Sequence, residues 1–266
     1  MIDMRSARAS TVLLDSLVEA ADRLASMIET IDNAKAPALG GWSIGDVAAH
    51  VSHALAGDTM LLNAGDASSG FPLTGGMTRD AIAQLNATML EADPERVPRR
   101  LAERIRVAGE DLKGAASALD NEAMRAWLEG IELPVSVIAA HALGEVVMHG
   151  YDIGRAASRP WNITEREALL ILEGFWFRLM RAIGAAPQEG IGGVPGGVEI
   201  RLRGGDATRF DNHHATDCRI TADPRAFLLF TYGRRGLLSS FVRGRWAISG
   251  RRPWLAPRVL KTLRTP

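Results

Sequence analysis

Cysteine is nearly missing: Cys218 stands alone in 266 residues. One thiol excludes an intramolecular disulfide and a cysteine-built zinc site, and it suits a reducing compartment. An excess of charge of either sign is missing too. The 31 Lys and Arg residues balance 31 Asp and Glu, so no overall field argues for a nucleic acid or an anionic membrane as partner. No run approaches the roughly 18 apolar residues of a membrane span. The opening stretch MIDMRSARASTVLLDSLVEA reads as an amphipathic helix and lacks the apolar centre of a signal peptide. The protein is therefore expected in the cytoplasm. The chain has no G-x-S-x-G, no H-E-x-x-H and no P-loop. The glycine-rich GIGGVPGG contains no G-x-G-x-x-G and follows no strand, so nucleotide binding has no motif behind it. Internal repeats and low-complexity tracts are absent.

What is present is a soluble composition, 47% hydrophobic and 23% charged, at a length suited to one large domain or two ordinary ones. The first two-thirds is helical in pattern. Residues 10–31 place apolar side chains at helical spacing, and a Pro-Gly hinge over 36–41 ends them. Ser43 then reads as an N-cap, with Asp46 completing a capping box and Trp42 placed for a hydrophobic staple to Val47. The helix so started carries His50 and His53. Residues 63–76 are loop by composition. A long helical stretch over 78–119 is expected to break near Asp93-Pro94, where proline removes a helix hydrogen bond. Another helix covers 134–157, and a second capping box at 162–167 precedes an apolar helix over 168–183. Past a Gly/Pro-rich linker at 184–197 the texture changes. Period-two alternation marks strands at 198–204 and 218–222, and 245–250 fits a third. Short helical patterns lie at 223–233 and 253–263. The expected architecture is a helical domain over residues 1–185, followed by a small α+β domain over 186–266.

Chemistry concentrates in the 134–157 helix. His141, Glu145 and His149 recur at i, i+4 and i+8, within roughly 80° of arc on one face. The flanking Val137, Ile138, Leu143, Val146, Val147 and Met148 leave little surface for solvent. Buried imidazoles and carboxylates need partners, and a divalent metal satisfies several together. Catalytic zinc takes three protein ligands and keeps a fourth position open. Glu145 and His149 can bind one ion from one helix. The third ligand falls to His50, to His53 if the second helix is rotated, or to His141. The opposing interpretation is ordinary hydrogen bonding by helix histidines. Asp152, three residues past His149, is placed to hold that ring's second nitrogen or to be a helix-end charge. His213 and His214 sit in a loop-like segment and read as a surface turn. Cys218 reads as a buried strand residue. Among the many C-terminal arginines, Arg235 and Arg243 are candidates for gripping a substrate carboxylate.

The opening Gly41-Trp42-Ser43 with Asp46, Val47 and His50 resembles the second helix of DinB-like four-helix bundles. Glu145, His149 and Asp152, as E-x-x-x-H-x-x-D, resemble their later metal helix, and Thr78 to Ile82 is similar to the start of their long helix. More narrowly, the whole chain resembles the mycothiol-dependent maleylpyruvate isomerase family. That family joins such a bundle to a C-terminal domain like sterol carrier proteins; Asp223-Pro224, Tyr232-Gly233-Arg234 and the run Gly244 to Gly250 fit that end. The resemblance implies zinc, or another divalent metal, held by His50, Glu145 and His149. His53, His141 and Asp152 then stand behind the ligands or replace one of them. It also implies the actinobacterial thiol mycothiol as co-substrate and a small acidic or electrophilic substrate, in a monomer or homodimer. The expected activity is isomerisation or S-transfer by a metal-activated thiolate. The alternatives are a hydrolase using zinc-bound water, or an apolar-ligand carrier without catalysis.

Overall fold

The computed structural model describes residues 7–64, 72–73, 78–182, 197–209, 216–236 and 244–263. Helix α1 (Ala7–Glu29) buries Leu13, Leu17, Leu24 and Ile28 along one stripe. A short hairpin follows, pairing β1 (Pro37–Leu39) with β2 (Trp42–Ser43). It turns at Gly40, whose φ of 56° suits a residue without a Cβ. The hairpin runs directly into α2 (Ile44–Ala64). The expected capping box is present. The Ser43 backbone N–H donates to Asp46 Oδ2 at 2.9 Å, and the Asp46 N–H donates to Ser43 Oγ at 3.2 Å.

The long helical stretch divides as expected. Helix α3 (Arg79–Ala92) is capped by Thr78 and stops before Asp93-Pro94; α4 (Pro98–Ser117) then restarts with proline in its first turn. A second small hairpin, β3 (Met124–Ala126) with β4 (Glu132–Pro134), leads into α5 (Val135–Ala156). Helices α1 and α2 each pack against both α4 and α5, and α3 rests on α2. The result is a four-helix bundle. Helix α5 is buried along most of its length. Its C-terminal half seats Trp161, which folds back over Gly150 and Gly154 and donates from Nε1 to the Val147 carbonyl at 2.9 Å.

By internal contacts the chain forms two units, one spanning Asp3–Ile163 and the other taking in Thr164–Pro266. The helix after Thr164 groups with the sheet and not with the bundle. The division therefore falls ahead of the glycine-rich linker, whose residues 184–196 lie outside the described ones. The physical reason is the burial of Ala168 to Ile171 within the second unit, where this helix packs on α8. The helix itself is α6 (Glu165–Ile171), opened by a Thr164–Glu167 capping box. A π-helical turn over Leu172–Trp176 joins it to α7 (Phe177–Ala182). The three expected strands are β5 (Val198–Leu202), β7 (Cys218–Ala222) and β8 (Trp246–Ser249); β6 (Ala207–Arg209) joins them. The sheet order is β6-β5-β7-β8, parallel only between β5 and β7. Helices α8 (Pro224–Thr231) and α9 (Ala256–Thr262) complete an α+β unit. Its core is aromatic: Phe227 stacks on Trp246 with ring centres 5.3 Å apart. Among the described residues no helix is long and apolar enough to cross a membrane.

Candidate metal centre

Two bundle helices bring the candidate ligands together. His50 lies nearly two turns inside α2, at a depth set by the Ser43–Asp46 cap. Glu145 and His149 lie one turn apart on α5. His50 Nε2 stands 3.0 Å from Glu145 Oε2, and His149 Nε2 stands 3.4 Å from the same oxygen. The three ligand atoms all lie within 4.8 Å of one another. A tetrahedral ion with bonds near 2 Å places its ligand atoms about 3.3 Å apart, and the separations of His50 and His149 from Glu145 match that spacing. The side chains are 12%, 16% and 11% exposed for His50, Glu145 and His149, enough for access and too little for free solvation. Among the described residues this is the only cluster of three or more His, Cys, Asp or Glu close enough to hold a metal.

Both candidate imidazoles have support behind them. His149 donates from Nδ1 to the buried Asp152 carboxylate at 3.2 Å. A carboxylate only accepts, so the proton sits on Nδ1 and Nε2 is turned toward Glu145. His50 packs its ring against Trp42 at 5.1 Å and edge-on to His149 at 4.9 Å. The indole of Trp42 thus serves as a wall for the ligand ring.

The two extra imidazoles are not part of the triad. His141 points its Nε2 at Glu145 Oε1, the other carboxylate oxygen, at 3.5 Å. Its Nδ1 lies 2.7 Å from Asp58 Oδ2, and Asp58 Oδ1 accepts from Trp127 Nε1 at 3.3 Å. Asp58 and Trp127 were not foreseen from the sequence. The available signal was the placement of Asp58 two turns past His50 in a largely apolar helix. His53 turns away to donate from Nε2 to Asp93 Oδ2 at 2.9 Å. The remaining sequence candidates lie elsewhere. Arg235 follows α8 in the second unit, and Arg243, His213 and His214 fall outside the described residues. Cys218 is buried in β7, and burial pushes its thiol pKa up, which suits a core residue.

The charges sort themselves by neighbour. Burial opposes ionisation of Glu145, yet hydrogen bonds from His149 and His50 hold its carboxyl well below the usual range. Burial also opposes charging His149, but Asp152 and Glu145 lift its pKa to about 9. For His141 burial is likewise overcome, chiefly by Asp58, and the pKa rises to about 9. His50 is the exception: burial wins over its bond to Glu145 and its pKa falls. Without an ion the site is thus a carboxylate compensated by protons. A metal held there would take the place of those protons, since only unprotonated ring nitrogens ligate.

The mycothiol maleylpyruvate isomerase N-terminal domain model matches residues 13–154, more than half of the chain and a span that runs from within α1 through the three candidate ligand positions. The chain belongs to that family. Members of the family are thus represented here by a bundle whose His-Glu-His cluster lies inside the matched span. Its fold is shared with the crystal structure of the mycothiol-dependent maleylpyruvate isomerase. That match has a TM-score of 0.55 at 15% identity and covers 85% of this chain and 90% of that one. A histidine-to-alanine variant of the same enzyme matches with a TM-score of 0.56 over the same shares at 15% identity. The likeness extends over both units, and it is one of fold. No curated protein sequence matches the chain.

Proposed function

We propose that this family member is a cytoplasmic, zinc-dependent enzyme using a low-molecular-weight thiol, mycothiol, to isomerise or S-conjugate a small acidic electrophile. The observation that carries the reading is the convergence of His50, Glu145 and His149 from two helices to within 4.8 Å. The donor set fits zinc: two imidazoles and one carboxylate, with Asp152 ordering one ring from behind. An ion held there by His50, Glu145 and His149 would supply the Lewis acidity that brings a thiol's pKa into the neutral range.

The residues of the chain do the rest. His50, Glu145 and His149 contribute a single negative charge, so a divalent ion keeps a net positive charge toward an incoming thiol. Asp152 fixes His149 in the Nδ1–H form and leaves Nε2 for ligation. Asp58 anchors His141, whose Nε2 faces the second oxygen of Glu145 and neutralises charge there. The partial burial of His50, Glu145 and His149 keeps competing water few. For the substrate, addition of a thiolate to an activated double bond leaves a single bond free to rotate. Elimination then returns the thiol and gives isomerisation, whereas retention of the adduct gives S-transfer.

The test is metal content together with thiol dependence. Purified protein is expected to carry about one zinc per chain and to turn over maleylpyruvate-like electrophiles only when thiol is supplied. His50→Ala is expected to abolish both. Turnover without thiol would move the reading to hydrolysis. Absence of zinc binding in a folded protein would end it.

A further inference from the structure

The ligand set contains an asymmetry. Glu145 and His149 ride on one helix, one turn apart, so their relative placement is fixed by α5 itself. His50 is the single ligand from α2. Whether the triad closes on an ion therefore depends on where α2 sits.

Two ties reach α2 from the corner between α3 and α4, and they bracket His50. Four residues before it, Asp46 accepts from Arg96 Nε at 2.6 Å while also capping α2 through Ser43. The same guanidinium is locked into the corner by bonds to the carbonyls of Leu90 at 3.0 Å and of Asp93 and Glu95 at 2.7 Å each. Its stem lies so close to the first turn of α2 that a Cβ at Gly45 would stand 3.2 Å from Arg96 Cδ. Three residues after His50, His53 donates to Asp93, and Arg104 of α4 donates to the same Asp93 oxygen. The Nδ1 of His53 is buried with no hydrogen-bond partner, so the bond to Asp93 alone fixes that ring.

We propose that the Asp93–Arg96 corner positions His50 for metal: Asp93 and Arg96 are positioning residues of the candidate zinc site although neither touches it. The inference rests on the metal reading above. Arg96 fits the role by shape, since its planar fork holds three carbonyls and a carboxylate at once, which a lysine does not do. A tie on each side of His50 restrains α2 against both sliding and rotation. Ligand distances tolerate only a few tenths of an ångström, so small shifts of this helix register at the ion.

The test measures zinc affinity of the full chain by chelator competition, and thermal unfolding with and without zinc. The variants are Arg96→Ala, Asp93→Ala and, as a comparison, Arg106→Ala, which cuts the α4–α1 pair with Glu29. Arg96→Ala and Asp93→Ala are expected to weaken zinc binding about tenfold or more and to shrink the zinc-induced rise in Tm. Arg106→Ala is expected to lower the Tm of the metal-free protein while leaving zinc affinity unchanged. Should Arg96→Ala fail to fold, Asp93→Ala decides. Wild-type affinity in the corner variants overturns the proposal, as does an equal loss in Arg106→Ala, which would mean general loosening. A folded wild type that takes up no zinc defeats the metal reading first, and the two failures are thereby told apart.

Discussion

Gly150→Ala sets two effects of opposite sign against each other on the helix that carries Glu145 and His149. Helix propensity favours alanine over glycine in a helix interior by about 1 kcal/mol. Space opposes it: a Cβ at Gly150 would stand 2.2 Å from Trp161 Cζ2 and 2.4 Å from Cε2. The indole must leave. Leaving loses its hydrogen bond to the Val147 carbonyl, about 1 kcal/mol. It also loses the Arg23 guanidinium, 4.3 Å over the ring, a contact of about 0.5–1 kcal/mol. Residual overpacking adds about 1–3 kcal/mol. The clash wins, with a net loss of about 2–4 kcal/mol and a fall in Tm of roughly 5–15 °C. Thermal unfolding of the metal-free chain followed by far-ultraviolet circular dichroism measures this. The double variant Gly150→Ala/Trp161→Ala should be no less stable than Trp161→Ala alone, since the obstacle is gone. If Gly150→Ala unfolds within 2 °C or so of wild type, the account of Trp161 as a ring seated on that glycine is wrong.

Other outcomes follow from single contacts. Hydrogen bonding to His53, together with the Glu95 N–H and Arg104 and against burial, holds the Asp93 carboxyl well below its ordinary range. A depressed folded pKa stabilises above the unfolded value near 4 and is lost as pH falls through the folded one. Urea unfolding below about pH 4 should therefore fall more steeply for wild type than for Asp93→Ala; parallel curves would refute this. In the metal-free protein the raised pKa of His141 works in the opposite sense. Its contribution is complete below the unfolded value near 6.5 and is lost as pH rises through about 9. Asp58→Asn removes the main neighbour that raises it, so the His141 ring should titrate lower by nuclear magnetic resonance. An unmoved titration would deny Asp58 that role. Thr164→Ala removes the α6 capping box, whose side chain accepts from the Glu167 N–H at 3.1 Å. It should cost about 1 kcal/mol, read as a lower unfolding midpoint.

Much of this was legible in residue order because local rules decide it. The start of α2 follows from Ser43 and Asp46, the corner between α3 and α4 from Pro94, and the shared face of Glu145 and His149 from the helical period. The third ligand was open among His50, His53 and His141. In the structure His53 pairs with Asp93 and His141 with Asp58, while His50 faces Glu145. Those pairings join residues 40 and 83 positions apart, beyond the reach of any periodicity. The two small hairpins and β6 were missed because two or three residues are too few to show alternation. Helix α6 was placed with the bundle since an apolar helix carries no label for the core that receives it. The π turn at Leu172–Trp176 leaves no compositional mark either.

The matched span ends at residue 154, and the three ligand positions with Asp58, Asp93, Arg96, Asp152 and Trp127 all precede that point. The candidate cluster and the side chains behind it are therefore all supplied by the Asp3–Ile163 unit. Substitutions in the sheet-bearing unit can reshape its own aromatic core and strands without removing any member of the His50, Glu145 and His149 cluster.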